Sequence, residues 1–312
     1  MTELKVTSKE SIERLGCVGV IMGGNSAERE VSLKSGRAVL DALQAAGVDA
    51  VGIDASHDLI AQLQAQSITQ VFNVLHGRGG EDGKLQGLLD FMGIPYTGSR
   101  VLGSALAMDK IRTKYIWLQI GLPTPNFTVL SDKSEWDEVV AKLGKAVVKP
   151  VREGSSIGIS IVENGADMRS AYESARAFDP EVMAEQYING TEFTVAILNG
   201  EAMPVIEFHT PHKFYDYDAK YIANDTQYLC PAPLDAATTA YLQDLSLQAF
   251  NAVGCEGWGR VDIMRDQQGK FWLLEVNTVP GMTDHSLVPM AATAKGLSFT
   301  ELLLCILAAK PL

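Results

Sequence analysis

The sequence predicts an α/β and α+β chain: an N-terminal doubly wound, parallel-sheet domain followed by two further domains. Three observations carry that expectation. Short β-branched runs alternate with helical segments over the first hundred residues. A Pro-rich break, Gly121-Leu122-Pro123-Thr124-Pro125, then ends a helix and opens a new series of strands. Finally, 312 residues with 46% hydrophobic content can bury a substantial core, and the length suits two or three domains. The expected units are 1–102, with a polar extension over 1–15, then 103–188 and 189–312.

Residues 16–23, GCVGVIMG, read as a buried strand followed by a turn. Residues 31–46 then carry Leu33, Val39, Leu40, Leu43 and Ala46 at helical spacing, ended by Gly47. Strand, loop and helix recur over 48–66. A third strand, 70–75, runs into His76-Gly77-Arg78-Gly79-Gly80-Glu81-Asp82-Gly83 and a helix to Met92. Sheets of this kind bind ligands beyond the C-terminal ends of their strands, which puts Glu28, His76 and Glu81 on one rim. There Glu28 can meet a substrate ammonium or cap the next helix, and position alone supports either. Neither glycine cluster fits G-x-G-x-x-G or G-x-x-x-x-G-K-[ST], which disfavours a nicotinamide Rossmann site and a P-loop.

One helix is expected over 104–120, containing Met108-Asp109-Lys110. The strand 146–150 ends in a cation, Lys149, and the loop Arg152-Glu153-Gly154-Ser155-Ser156-Ile157-Gly158 leads to a β-run at 159–162. A Gly/Ser-rich loop can close over a triphosphate through its N–H groups, with Lys110 and Lys149 balancing charge. Gly154-Ser155-Ser156-Ile157-Gly158 also fits G-x-S-x-G, and Asp284 and His285 follow in hydrolase order. A nucleophile elbow, however, needs a helix after the turn, and here a β-branched run follows.

Residues 191–208 read as a β-meander turning at Asn199-Gly200. The long polar stretch 209–227 is expected to be a lid. A helix over 235–253 precedes two β-rich runs, 259–265 and 270–276, flanking Asp266-Gln267-Gln268-Gly269. If Asp266 pairs with Gly269, Arg260 faces Glu275 and Asp262 faces Leu273. Arg260, Asp262, Glu275 and Asn277 then share one face, while Val261, Ile263, Trp272, Leu274 and Val276 share the other. A loop one residue longer or shorter would scatter the set. Two carboxylates and an amide oxygen beside an arginine are hard ligands suited to Mg²⁺, which in such sites usually also holds substrate phosphates. The segment 277–283 adds a rigid turn in which Gly281 lets backbone N–H groups approach a ligand. The apolar helix 298–309 is expected to be core.

The formal charge of −12, without any Lys/Arg run, argues against nucleic acid. No segment approaches a membrane span, the first fifteen residues lack the apolar core of a signal peptide, and four scattered cysteines suit reduced thiols, so a cytoplasmic location is expected. His209 and His212 could chelate a metal, but they sit in a polar loop where solvation is the commoner state.

Arg260, Asp262, Glu275-Val276-Asn277 and Pro280-Gly281-Met282-Thr283 resemble the metal and oxyanion end of ATP-grasp ligases. The continuation Asp284-His285-Ser286-Leu287-Val288-Pro289-Met290 narrows the resemblance to the D-alanine:D-alanine ligases, as does Gly23-Gly24-x-Ser26-x-Glu28-x-Glu30-Val31-Ser32. The resemblance covers residues 17–305. It implies an ATP-grasp fold whose central and C-terminal units enclose ATP, and the ATP-dependent joining of two D-alanines for peptidoglycan synthesis. D-alanine:D-lactate ligases and other ATP-grasp carboxylate–amine ligases are the nearest alternatives, and a nucleotide-binding module without chemistry is a more distant one. The implied ions are two Mg²⁺, with Mn²⁺ as a substitute, and K⁺; the implied assembly is a homodimer.

Residue by residue, the resemblance gives Asp262, Glu275 and Asn277 to the metal, and Arg260 with Gly281 to the oxyanion. Glu28, with His76 on its rim, goes to the first substrate, and Lys220, Ser286 and Leu287 go to the second. Ser155 and Tyr221 are one candidate relay for the proton of the incoming amine, and the phosphate itself is another. Lys110, Lys149, Ser155 and Ser156 belong to the phosphates, Glu185 and Glu192 to the ribose, and Gln186, Tyr187 and Ile188 to the base.

Overall fold

The fold is that of a computed structural model, in which residues 12–210, 226–283 and 286–309 are described. Val18, Val20, Ile21 and Met22 are apolar in succession, which suits a strand covered on both faces. Strand β1 (Val18–Met22) accordingly lies between β2 (Ala50–Asp54) and β3 (Gln70–Asn73), all parallel. Helix α1 (Arg29–Ala45) covers one face through Val39 and Leu43, which pack in one core with Val18 and Val20. Helices α2 (Leu59–Ala65) and α3 (Lys84–Met92) cover the other, where Leu63, Leu85 and Leu89 meet Ile21, Ile53 and Val71. This is the expected doubly wound unit.

The single helix expected over 104–120 is two: α4 (Val101–Met108) and α5 (Lys110–Gln119). Asp109 between them adopts an extended conformation, and its carboxylate accepts from the Arg112 N–H at 3.0 Å. A side chain that satisfies a helix N-terminus offers the backbone an alternative to continuing the helix through it. The break makes Lys110 the first residue of a new helix.

A second sheet runs β4 (Phe127–Leu130), β7 (Val182–Gln186), β5 (Ala146–Pro150), β6 (Ser160–Val162), with helices α6 (Trp136–Leu143) and α7 (Gly165–Ala175) sharing its core. The Gly/Ser loop joins β5 to β6, strand to strand, so the nucleophile-elbow geometry is absent at Ser155.

The third sheet is ordered β11 (Gln227–Leu229), β10 (Ile206–His209), β8 (Gly190–Leu198), β12 (Trp258–Asp266), β13 (Phe271–Asn277), with β9 (Glu201–Ala202) paired to β8. Helix α8 (Ala236–Ala252) packs on one face together with α5, whose fully buried Trp117 donates to the Ala249 carbonyl at 3.0 Å. Helices α9 (Leu287–Ala294) and α10 (Phe299–Ala308) join the core that includes β1 and α1, and a Ser298–Glu301 capping box starts α10. Among the described residues no single helix is long and apolar enough to cross a membrane. Lys220, Tyr221, His212 and most of the expected lid 209–227 lie outside the described residues, as do Asp284 and His285.

The β12–β13 hairpin differs from the expected register in a way that matters. The Gly269 N–H turns in to the Asp266 carbonyl at 2.9 Å. The Asp266 N–H donates to the Lys270 carbonyl at 2.9 Å and Arg265 pairs with Phe271, so Asp266 stands opposite Lys270 and the loop is one residue longer. That alone would turn Glu275 and Asn277 toward the core. A bulge adds a second residue on β13: Ile263 pairs with Leu273, but Asp262 pairs with Glu275 and Arg260 with Asn277. Two single-residue shifts restore parity, and Arg260, Asp262, Glu275 and Asn277 still share a face. The expected apolar face fails only between turn and bulge, where Phe271 and Leu273 are buried in place of Trp272 and Leu274.

Because Trp117 fastens α5 to α8 in the core on the large sheet, Trp117→Ala should cost about 3–5 kcal/mol. Urea denaturation would show this as a clearly lowered midpoint, and an unchanged midpoint would mean that α5 is held some other way.

Candidate active site

Asp262 and Glu275, opposite each other on β12 and β13, both line a cavity of about 340 Å³. Its wall also contains Lys110, Lys149, Ser155, Ser156, Glu185, Gln186, Tyr187, Ile188 and Glu192. Two adjacent carboxylates repel, and two cations answer them. Arg260 forks onto Asp262 through Nε at 2.8 Å and Nη2 at 2.7 Å. The Thr194 hydroxyl and Asn277 Nδ2 also donate to Asp262, at 2.7 and 2.9 Å. Lys110 Nζ, delivered by the break at Asp109, lies 3.1 Å from Glu275 Oε2 and donates to the Glu153 carbonyl at 2.9 Å. Burial works against the Lys110 charge, but Glu275, with help from Glu81 and Glu28, holds its pKa above the ordinary lysine value.

Deeper in, Glu185 is 3% exposed and sits between two lysines. Lys149 Nζ is 2.8 Å from one carboxylate oxygen, and Lys114 contacts the other. Burial opposes ionisation of Glu185, yet Lys114 and Lys149 together keep its pKa low. Lys114 is fully buried, with its Nζ 2.6 Å from the Thr124 hydroxyl, and burial pushes its pKa down to about 8 although Glu185 resists. Lys114 is absent from the sequence-derived set. Its signal was present, since it lies one turn after Lys110 on the same helix. The Gln186 side chain accepts from Asn126 at 3.2 Å, and the Tyr187 N–H is committed to the Lys145 carbonyl at 2.9 Å, so that N–H is not offered to the cavity.

The parallel-sheet unit meets the Gly/Ser loop of the cavity wall. Glu28 immediately precedes α1, but its side chain makes no capping bond, which removes the capping alternative. Instead Glu28 Oε1 accepts from the Ser155 hydroxyl at 2.5 Å, joining the β1 rim to the Gly/Ser loop. A Cβ on Gly154 would stand 2.9 Å from the same carboxylate, so the loop can approach only as glycine there. His76 is 3% exposed, 3.2 Å from the Ser35 hydroxyl and 3.9 Å from Glu81. Burial lowers its pKa. Burial, then the nearby Glu28 charge, pushes Glu81 up to about 8. Ser35 also accepts from the Met282 N–H at 3.1 Å and so ties the Gly281 turn to the rim. Sequence reasoning passed over this residue, a small polar position on the buried face of α1. The Ser286 hydroxyl turns back to the Thr283 N–H at 2.9 Å, and Leu287, buried, begins α9.

The geometry therefore joins acidic oxygen donors, buried lysines and a Gly/Ser loop around one cavity between two antiparallel sheets. The family model described as D-ala D-ala ligase C-terminus matches residues 116–308, and that described as D-ala D-ala ligase N-terminus matches 56–99. The chain belongs to the D-alanine–D-alanine ligase family. A ligase of that name from Stutzerimonas stutzeri is 58% identical over 305 residues, covering 97% of each chain. One from Pseudomonas putida (strain GB-1) is 56% identical, over 97% of this chain and 96% of its own. The crystal structure of the Bacillus anthracis ligase complexed with ATP superposes with a TM-score of 0.82 at 34% identity, covering 94% of this chain and 96% of that one. The VanG D-Ala:D-Ser ligase from Enterococcus faecalis gives 0.80 at 32%, over 94% and 98%. These neighbours share the ATP-grasp fold, and the family implies use of ATP and a divalent metal. The residues present fit such an ion: Asp262 and Glu275 offer hard oxygen donors side by side at a cavity wall, with Asn277 adjoining.

Glu81 generates a pH prediction. Its folded-state pKa lies above the ordinary 4.5, so its contribution to stability is complete below that value and is lost as pH rises through about 8. Glu81→Gln should flatten the fall in stability between about pH 5 and 8 in denaturation curves. An identical slope in both proteins would place the titration elsewhere.

Proposed function

We propose that this chain joins two D-alanines into D-alanyl-D-alanine while converting ATP to ADP and phosphate, a cytoplasmic step of peptidoglycan precursor synthesis. The observation that carries the reading is the convergence of Asp262 and Glu275 on a cavity whose wall also bears Lys110 and Lys149 and whose Gly/Ser loop touches Glu28.

A carboxylate is a poor electrophile because its leaving group would be oxide. Transfer of the γ-phosphoryl group therefore comes first and gives an acyl phosphate. The amine of the second D-alanine then attacks the carbonyl carbon, and phosphate leaves. Glu28, fixed by Ser155, holds the ammonium of the first D-alanine, with His76 beside it. Lys110, Lys149, Ser156 and the N–H groups of the loop hold the phosphates. Mg²⁺, as two ions replaceable by Mn²⁺ and held by Asp262, Glu275 and Asn277, would neutralise phosphate charge during transfer. Arg260 and the Gly281 N–H stabilise the oxyanion of the second step.

Ser286, the Leu287 N–H and Lys220 hold the second carboxylate, and Tyr221 with Ser155 relays the proton. Gln186, Tyr187 and Ile188 border the base. Glu185 is already shared by two lysines, so Glu192 is the better partner for the ribose. The three units 1–102, 103–188 and 189–312, a homodimeric assembly and activation by K⁺ are proposed with this reading.

Phosphate release from ATP should require D-alanine, fail with L-alanine, and yield one dipeptide per phosphate. Release supported by D-lactate as second substrate would instead favour ester formation. Glu275→Gln should lower kcat by roughly 10²-fold or more with the circular dichroism spectrum unchanged. Wild-type turnover at saturating Mg²⁺ would remove Glu275 from the metal site.

A further inference from the structure

Arg78 has no part in the chemistry above, yet it spans from the first domain to the Gly/Ser loop. It lies two residues beyond His76, in the segment that follows β3. Its Nε stands 2.7 Å from Glu153 Oε1, and its Nη2 stands 3.3 Å from Asp179 Oδ2 and donates to the Phe178 carbonyl at 3.0 Å. Asp179 is fully buried and accepts from the Arg152 and Glu181 N–H groups at 2.9 and 3.0 Å, so it is a fixed anchor. Glu153 begins the loop, and Phe178 packs against Gly158 at the loop's far end, where an added Cβ would come within 2.8 Å of the ring. One guanidinium thus contacts the start of the segment 153–158 directly and its far end through Phe178.

The loop needs such holding. Ser155 and Ser156 have φ of +50° and +59°, a conformation that side-chain-bearing residues avoid. Its internal backbone bonds run from Ile157 N–H to the Gly154 carbonyl at 3.1 Å and from Ile159 N–H to the Ser156 carbonyl at 3.4 Å. External anchors come from Lys110 on the Glu153 carbonyl, Glu28 on Ser155, and Arg78. The first two are assigned to ligands in the proposed reaction, whereas Arg78 is not. Burial raises the Glu153 pKa and Arg78 counters that rise, which makes the pair interdependent.

We propose that Arg78 is a positioning residue that holds the loop 153–158 over the cavity and thereby keeps water from the activated carboxylate. The second half rests on the ligase reading. Where the loop is loose, water attacks the acyl phosphate at its carbonyl carbon, the bond from that carbon to the bridging oxygen breaks, that oxygen leaves with phosphate, and D-alanine and phosphate form without dipeptide.

The test compares wild type with Arg78→Gln and Arg78→Lys. Hydrogen–deuterium exchange is followed over 153–158 and over strands β5 and β7, together with KM for ATP and phosphate released per dipeptide. Arg78→Gln should speed exchange in the loop alone and raise KM for ATP about threefold to tenfold, the effect of a partly exposed, charge-assisted pair. It should also release clearly more than one phosphate per dipeptide. Arg78→Lys should lie between, because an ammonium cannot fork onto both carboxylates. Unchanged loop exchange in Arg78→Gln overturns the proposal. So does faster exchange spread equally through β5 and β7, or a coupling ratio and KM identical to wild type. If wild type itself makes no dipeptide, the ligase reading fails, while the exchange data still decide whether Arg78 holds the loop.

Discussion

Two carboxylates on neighbouring strands, pointing the same way at the wall of a cavity, repel each other, and most of the surrounding structure answers that repulsion. Arg260 lies two residues from Asp262 on the same strand face and can fork onto it without bending the backbone. Lys110 comes from elsewhere in the chain and reaches Glu275 because Asp109 ends one helix and caps the next. Thr194 and Asn277 fill further hydrogen-bonding positions on Asp262. The pair is thus charge-compensated within the protein yet still borders the cavity.

The same logic runs inward. A carboxylate as buried as Glu185 is costly unless paired, and two lysines pair it. Glu185 and Lys149 line the cavity, and the fully buried Lys114 is bound to the site through Glu185 although it lies behind the cavity wall. At the outer end the contacts cross between units: Ser155 to Glu28, Arg78 to Glu153 and Asp179, Ser35 to Met282. These contacts are polar, and polar contacts form and break more readily than an apolar core.

Much of this was legible in the sequence. The strand–helix alternation of the first hundred residues and the Gly/Ser loop follow from local periodicity and turn chemistry, which act over a few residues, whereas the shared face of Arg260, Asp262, Glu275 and Asn277 holds because the longer turn and the bulge cancel. The misses are of a different kind. The helix break at Asp109 depends on a side chain competing with the backbone, in a stretch whose composition reads as helical throughout. The hairpin loop is longer than its turn residues suggest, and the compensating bulge at Leu274 is a property of pairing with β12, so Trp272 and Leu274 were assigned to the wrong face. Lys114 and Ser35 act through partners more than seventy residues away in Glu185 and forty in His76, a separation no local pattern encodes.

The central claim is that Asp262 and Glu275 together bind a divalent cation along with nucleotide. Its most direct test is a Mn²⁺ titration by electron paramagnetic resonance in the presence of a non-hydrolysable ATP analogue. Wild type should take up Mn²⁺ with the nucleotide, and Asp262→Asn should lose most of that binding while keeping its fold. Equal Mn²⁺ uptake by wild type, Asp262→Asn and Glu275→Gln would contradict the account.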